Sequence, residues 1–438
     1  MTTYHPANDE KHQLFLAWSR AQGITFNKIT PARFPNAGLG IASTEPIEGP
    51  RRAKKGENKN RMGFSEGETI TFAPKAALLT RENLKLFSPT LGNFNALLKE
   101  LSTHAVFAAA IAKELKNKGN AWRPWMKVWP SPEEYQDGMP LLWNKEQQEL
   151  LPPSAICGES AILESQMQKF EGDFQKVRAL GFEFSRDEYV YAWLVVNTRS
   201  LFYKLDTQDY KELSKEDCMA LCPFIDYFNH SDDGCKVELS PAGYTVTPNV
   251  DSLPASTQLF VTYGCHSNDF LLCEYGFILP TQSNKWDEVN IDTFILHDLT
   301  PDQKRHLDAE GFLGNYIFDR STFCFRTQAA VRMMLIKDPS SPRNKVRVDR
   351  WQRYLIGQED GERERAAVEE YLKGLLEKLR TRGREAWGQA DDLEEGSVKR
   401  LLLMRWQQVL AMVESVEADM KDESGEERVG RNLASYIM

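Results

Sequence analysis

The chain is read as an α+β protein, on three observations. Strand-like segments lie around Gly38–Ala42, Gly67–Phe72 and residues 257–263. A helical passage separates the second from the third, and helices dominate from about residue 299 onward. The alternation Thr-Gln-Leu-Phe-Val-Thr-Tyr over 257–263 has the period of a half-buried strand. Leu97, Leu98, Leu101, Ala105, Ala108 and Ala109 recur instead at three- and four-residue spacing, which is the period of a helix face.

In chain order, His12–Gln22 reads as a short helix with Leu14, Phe15 and Trp18 on one face. The Gly38-Leu39-Gly40-Ile41-Ala42 stretch leads into a strand, and Gly67–Phe72 reads as a turn and a strand. Between them Gly49–Arg61 is rich in Arg and Lys and poor in apolar residues. It is a solvated loop or a docking arm for an acidic partner. Helix is expected over Phe94–Lys118 and ends at Gly119. Trp122, Trp125 and Trp129 among Pro124, Pro130 and Pro132 then indicate packed irregular backbone. Helix returns over Gln147–Val196. After the strand at 257–263, Gly264 breaks the pattern. Ser267 can cap the helix that follows, Asp269 suits its positive end, and Gly276 suits its C′ position. Long charged amphipathic segments follow at 362–382 and 396–420, and Lys421–Arg431 is expected to fray.

At 438 residues, with 41% hydrophobic and 27% charged residues, the length prior is two to three domains with an ample core. A net charge of -9 argues against nucleic acid as a partner. Seven cysteines at irregular spacing carry no zinc pattern and read as reduced thiols, so a cytoplasmic or nuclear location is expected and no metal. The polar N-terminus lacks a secretory signal, and nothing approaches the roughly 20 apolar residues of a membrane span.

The stretch that invites chemistry runs from Pro223 to Phe277. It holds Asp226, Asn229-His230-Ser231, Tyr263-Gly264, Ser267-Asn268 and Tyr275-Gly276-Phe277, set among apolar residues. Asn and His are rarely buried without partners, so such a cluster reads as a site for an oriented polar ligand.

Together with Gly38-Leu39-Gly40, Gly67-Glu68-Thr69-Ile70, the Trp-rich insert and Thr198-Arg199-Ser200, these motifs resemble the SET-domain protein methyltransferases. The branch is the one typified by the Rubisco large-subunit lysine methyltransferase, and the resemblance covers nearly the whole chain. It implies a SET β-fold of small sheets with a pseudo-knotted C-terminal part over 22–290, interrupted by a helical insert at about 92–215. An all-α substrate-binding-like domain over 291–438 would follow. The implied activity is methyl transfer from S-adenosylmethionine to a lysine of a non-histone protein, such as a ribosomal protein or translation factor, by a monomer. A catalytically inactive SET-fold binding module and a protein-histidine methyltransferase are the alternatives.

The resemblance also implies roles. Tyr263 is the catalytic tyrosine, and Gly38, Leu39, Gly40, Arg199, Asp226, Asn229, His230 and Tyr263 meet the cofactor. Arg199 would pair with the cofactor carboxylate, with an ion pair to Asp226 as the structural alternative. Leu201, Phe202, Tyr275 and Phe277 would line the lysine channel, with helix-end packing as the alternative for the last two. Three departures stand out. Ala37 precedes Gly38 where many relatives carry an acid. The zinc-binding cysteines of histone-directed relatives are missing. Leu201 stands where the histidine-methylating branch carries Asn, and an apolar wall suits a lysine stem better than an imidazole.

Overall fold

A computed structural model describes residues 4–35, 37–51, 67–92, 94–156, 161–205 and 213–422. Most of the basic insert and of the C-terminal stretch beyond residue 422 lie outside the described residues. The chain forms two compact units, each built from two stretches: Met1–Tyr135 with Gln168–Cys265, and Gln136–Met167 with His266–Met438.

The first unit is organised around an eight-stranded sheet. Its strands are β1 (His5–Pro6), β2 (Thr25–Phe26), β3 (Ile29–Phe34), β4 (Gly38–Ser43), β6 (Thr71–Pro74), β9 (Asn229–Ser240), β10 (Gly243–Thr247) and β12 (Gln258–Val261). Two small sheets accompany it, one of β5 (Ile47–Glu48) with β11 (Ser252–Leu253) and one of β7 (Ser200–Phe202) with β8 (Met219–Leu221). The large sheet has the order β1-β3-β4-β12-β9-β10-β6-β2, so β12 joins β4 to β9 and N-terminal strands lie on both sides of it. The expected alternation in β12 is observed: Leu259 and Val261 are buried, Gln258 and Phe260 half-buried.

The pairing of β12 with β9 is parallel and broken. Phe260 stands opposite Asn229, yet Val261 stands opposite Cys235, so His230–Gly234 leaves the ladder as an excursion. At its end β9 passes so close to the other chain that a Cβ on Gly234 would lie 2.4 Å from the Val261 carbonyl carbon and 2.8 Å from the Thr262 nitrogen. Only glycine fits there.

Helix α1 spans Glu10–Ala21 and is capped by the Asp9 side chain. It starts two residues earlier than expected, and its buried face is His12, Phe15 and Ser19. Leu14 points to solvent, 46% exposed. The expected helix over Phe94–Lys118 is two helices, Phe94–Glu100 and α2 (Thr103–Glu114), because Ser102 turns aside to cap the second. The Trp-rich passage is packed and irregular, and it contains the short helix α3 (Arg123–Met126). Its rings follow one another, with centroids 5.9 Å apart for Trp122–Trp125 and 5.2 Å for Trp125–Trp129. The long helical reading of Gln147–Val196 is interrupted. It contains Lys145–Glu149, Pro153–Ile156 and Ile162–Ala179, and then α4 (Arg186–Arg199), whose Ser185–Glu188 capping box fixes its start.

The second unit is mainly helical. Helix α5 (Asn268–Tyr275) has Ser267 as its N-cap and ends on Gly276 in the left-handed region, φ 80°, as the sequence predicts. Helices α6 (Arg365–Asp391) and α7 (Ser397–Asp422) form the predicted amphipathic pair. Leu372, Leu375, Leu376 and Leu379 of α6 share one core with Leu402, Trp406, Val409 and Val413 of α7. A Cβ on Gly383 would stand 3.0 Å from the Trp406 ring, so the glycine admits the indole. The later stretch of this unit starts at His266, and within it α5 is anchored to α7. Buried Arg405 donates to Asp269 at 2.7 and 3.0 Å and to Asp287 at 2.9 Å. No helix among the described residues is long and apolar enough to cross a membrane.

Candidate functional site

The β3–β4 hairpin presents its turn at one end of the sheet, with Phe34 paired to Gly38. Gly38 has φ 63° and no atom within 4 Å of where a Cβ would stand, so this backbone is both left-handed and open to approach. Gly40 has the opposite reason to be glycine. A Cβ there would sit 2.8 Å from Asn229 Nδ2 and 2.9 Å from Gln258 Nε2. Asn229, the first residue of β9, donates through Nδ2 to the Ala37 carbonyl at 3.1 Å. The carboxamide therefore ties the glycine turn to the centre of the sheet, and its oxygen is not used in that bond.

His230 and Tyr263 form the next layer. The backbone N–H of Tyr263 donates to His230 Nδ1 at 3.1 Å, so the imidazole carries its proton on Nε2, which faces Asp232 Oδ1 at 3.8 Å. The two rings stack with centroids 5.1 Å apart and 25° between planes. The His230 side chain is thus committed inside the protein and fixes where Tyr263 begins. The Tyr263 hydroxyl donates to the Phe228 carbonyl at 2.7 Å. This bond fixes the direction of the hydroxyl proton, and a hydroxyl oxygen so oriented is of the type that can also accept.

A third group lies behind these. Arg199, the last residue of α4, donates through Nη1 to the Asp226 carbonyl oxygen at 2.8 Å and lies 3.5 Å from Asp226 Oδ2. The structural alternative for Arg199, an ion pair to Asp226, is present. The Asp226 side chain is only 2% exposed and that of Arg199 15%. Burial disfavours the Arg199 charge, but Asp226, Tyr135 and Tyr263 outweigh it and raise its pKa, so the guanidinium stays cationic. Trp125 donates its indole N–H to Asp226 Oδ2 at 2.9 Å.

Leu201 is half-buried on β7, and Phe202 beside it is 55% exposed. Tyr275 and Phe277 belong to the second unit, at the end of α5, with ring centroids 6.3 Å apart. Burial, with Glu274 nearby, pushes the Tyr275 phenol up to about 12. The Ser267-Asn268 motif turns out to be structural. Asn268 is fully buried, receives Leu279 N–H on Oδ1, and donates to Gln408 Oε1 at 2.9 Å while its own N–H meets Asp287. Among the described residues no group of three or more His, Cys, Asp or Glu could hold a metal ion.

Sequence reasoning missed Trp125, Gly234 and Arg405. Trp125 and Arg405 are partners of motif residues more than a hundred positions away. A glycine at Gly234, just after Asn229-His230-Ser231, was the one local signal available for the crossing.

Comparison with known proteins places this geometry. With solved structures, the SET domain of LSMT bound to lysine and AdoHcy matches at a TM-score of 0.60 and 13% identity, covering 95% of this chain and 92% of that one. The structure of Rubisco LSMT bound to sinefungin and monomethyllysine matches at 0.60 and 13%, covering 98% and 97%. The chain has the SET-domain fold. Within that class, residues 287–419 match the family model described as the ribosomal lysine N-methyltransferase 2 C-terminal domain. The chain is similar to ribosomal lysine N-methyltransferase set11 of Schizosaccharomyces pombe, 31% identical over 51% of this chain and 57% of that protein. It is also similar to ribosomal lysine N-methyltransferase 2 of Saccharomyces cerevisiae, 26% identical over 50% and 53%. The chain spans little more than half the length of these two relatives.

Proposed function

We propose that this chain is an S-adenosylmethionine-dependent protein-lysine N-methyltransferase acting on a non-histone protein, with ribosomal proteins as the substrate class. The reading is carried by one juxtaposition. An open left-handed glycine turn, the Asn229 carboxamide and a tyrosine whose hydroxyl proton is directed onto a backbone carbonyl meet at one end of a SET sheet. The names of the two ribosomal lysine methyltransferases support the substrate class.

The residues fit the cofactor. Gly38 leaves its approach open, as an adenosyl group close to backbone requires. Arg199 keeps a buried Nε that has no hydrogen-bond partner among the described residues, and this suits an amino-acid carboxylate. When bound, S-adenosylmethionine supplies an electrophilic methyl on a sulfonium. The chain supplies orientation: Gly38, Leu39 and Gly40 through backbone, Asn229 and Arg199 at the amino-acid end, and His230 by seating Tyr263. The Tyr263 hydroxyl is assigned to polarised C–H groups of the methyl on the family resemblance. Tyr275, Phe277, Leu201 and Phe202 are assigned to the acceptor lysine on the family resemblance. Apolar surroundings favour the neutral amine that must attack, against an ordinary lysine pKa of about 10.4. A monomer, on the family resemblance, and a cytoplasmic or nuclear location, on the cysteine usage of the sequence, are the accompanying proposals.

The test is transfer of labelled methyl to ribosomal proteins from cells lacking this protein, with methyl-lysine mapped by mass spectrometry. Sinefungin-sensitive labelling of a discrete lysine is expected. Folded protein that binds no cofactor by calorimetry would refute the reading.

A further inference from the structure

We propose that Trp125, in the helical insert, is a positioning residue for the cofactor site: its indole N–H fixes Asp226, and Asp226 aims the guanidinium of Arg199. The proposal rests on the reading of Arg199 as the cofactor-carboxylate ligand.

The geometry has three parts. Trp125 is fully buried between Trp122 and Trp129, so its ring cannot turn without disturbing two others. Its Nε1 reaches Asp226 Oδ2 at 2.9 Å. Asp226 lies in the short 3-10 turn Ile225–Tyr227, three residues before Asn229, so whatever holds it also holds the start of β9. Arg199 approaches the same residue from α4, through Nη1 to the carbonyl at 2.8 Å and toward Oδ2 at 3.5 Å. The backbone contact is the shorter one, so Arg199 alone does not pin the carboxylate. Asp226 Oδ1 is buried with no hydrogen-bond partner among the described residues, which leaves the Trp125 bond as the shortest side-chain bond that Asp226 makes.

The chemistry of the donor matters. An indole N–H donates and cannot accept, so it bonds an aspartate more strongly than the oxygens of a neutral aspartic acid. It therefore selects the charged form. The other titratable groups facing Asp226 are Arg199 from α4, Cys222 and Tyr227 from its own segment, and Tyr135. Arg199 is the one cation among them. Burial pushes Asp226 up, and Arg199, Trp125 and the backbone at Phe224 oppose that. Removing the indole N–H strips away one of these three restraints. Asp226 would then take up a proton more readily, and Arg199 would lose the anion that orients its fork.

The test is calorimetric binding of S-adenosylhomocysteine, which keeps the amino-acid end and lacks the transferable methyl, to the full chain between about pH 6 and 8.5. Wild type should show a flat affinity over this range. Trp125→Phe should bind within about threefold of wild type at the alkaline end and lose roughly tenfold toward the acid end, one hydrogen bond to a charged group being worth about that much. Asp226→Asn should be weakened by about tenfold at every pH. It carries the test alone if Trp125→Phe does not fold, and wild-type affinity in it would overturn the proposal. So would parallel pH profiles for wild type and Trp125→Phe, because a merely structural tryptophan shifts affinity equally at all pH values. Absence of binding by wild type would instead refute the cofactor reading on which the proposal depends.

Discussion

Tyr263 directs its hydroxyl proton to the Phe228 carbonyl, and its ring is braced by His230. Tyr263→Phe removes only the oxygen. We expect methyl transfer to fall by about a hundredfold while S-adenosylhomocysteine affinity changes by less than about threefold, as for loss of one preorganised polar group at a transition state. Single-turnover transfer beside calorimetry would check this. Gly234 is the other residue with no tolerance. Gly234→Ala puts a methyl 2.4 Å from the Val261 carbonyl carbon and should cost about 3 kcal/mol or more in chemical denaturation. Tyr263 and Asn229 were legible because their neighbours in sequence announce them. The use of His230 was not. Whether its ring meets a ligand or seats Tyr263 depends on where Nδ1 points, and that is set by the backbone just after β12, 33 residues on.

Among the elements, α2 and α4 pack through a pair that has a pH signature. His104 on α2 stacks on Trp193 of α4 at 4.4 Å, and its Nε2 donates to the Trp193 carbonyl at 3.0 Å. Burial, with Lys169 adding to it, drives the His104 pKa down to about 3. The folded state resists a proton that the unfolded chain accepts near the ordinary value of 6.5. Stability from this source is full above 6.5 and is lost as pH falls toward 3, by at most about 4–5 kcal/mol. His104→Gln keeps a donor for the carbonyl and should flatten the acid limb of a stability–pH curve between about pH 6 and 4. The helices themselves were readable from periodicity, and α5 even from its caps. The breaks were not: Ser102 ends one helix and starts another through a side-chain bond that the apolar pattern does not encode.

For the whole molecule, the second unit depends on a charge buried without solvent. Arg405 is held above its ordinary pKa by Asp269 and Asp287 in spite of its burial, and Ser154 completes the set around Asp269. Arg405→Met would leave two buried carboxylates without their cation. A loss of about 3–5 kcal/mol is expected in denaturant unfolding, with Arg405→Lys recovering little because a single ammonium cannot serve both acids in the fork geometry. The amphipathic character of α7 was plain in its sequence. That Arg405 faces inward was not, because an arginine on a charged helix is by default a surface residue.

The position of β12 has a consequence for the order in which the protein can be made. Four residues, Gln258–Val261, stand between β4 and β9 in the large sheet and pair with both. The β3–β4 hairpin leaves the ribosome first and must wait for those four. At ordinary elongation rates the interval between Ser43 and Gln258 is roughly 10–40 s. Throughout that time the β4 edge is an unpaired template open to any other extended chain. The nascent protein thus has a built-in period of vulnerability to mispairing that ends when β12 is added, and slowing translation between β4 and β12 should lower the yield of soluble protein more than slowing it after residue 261.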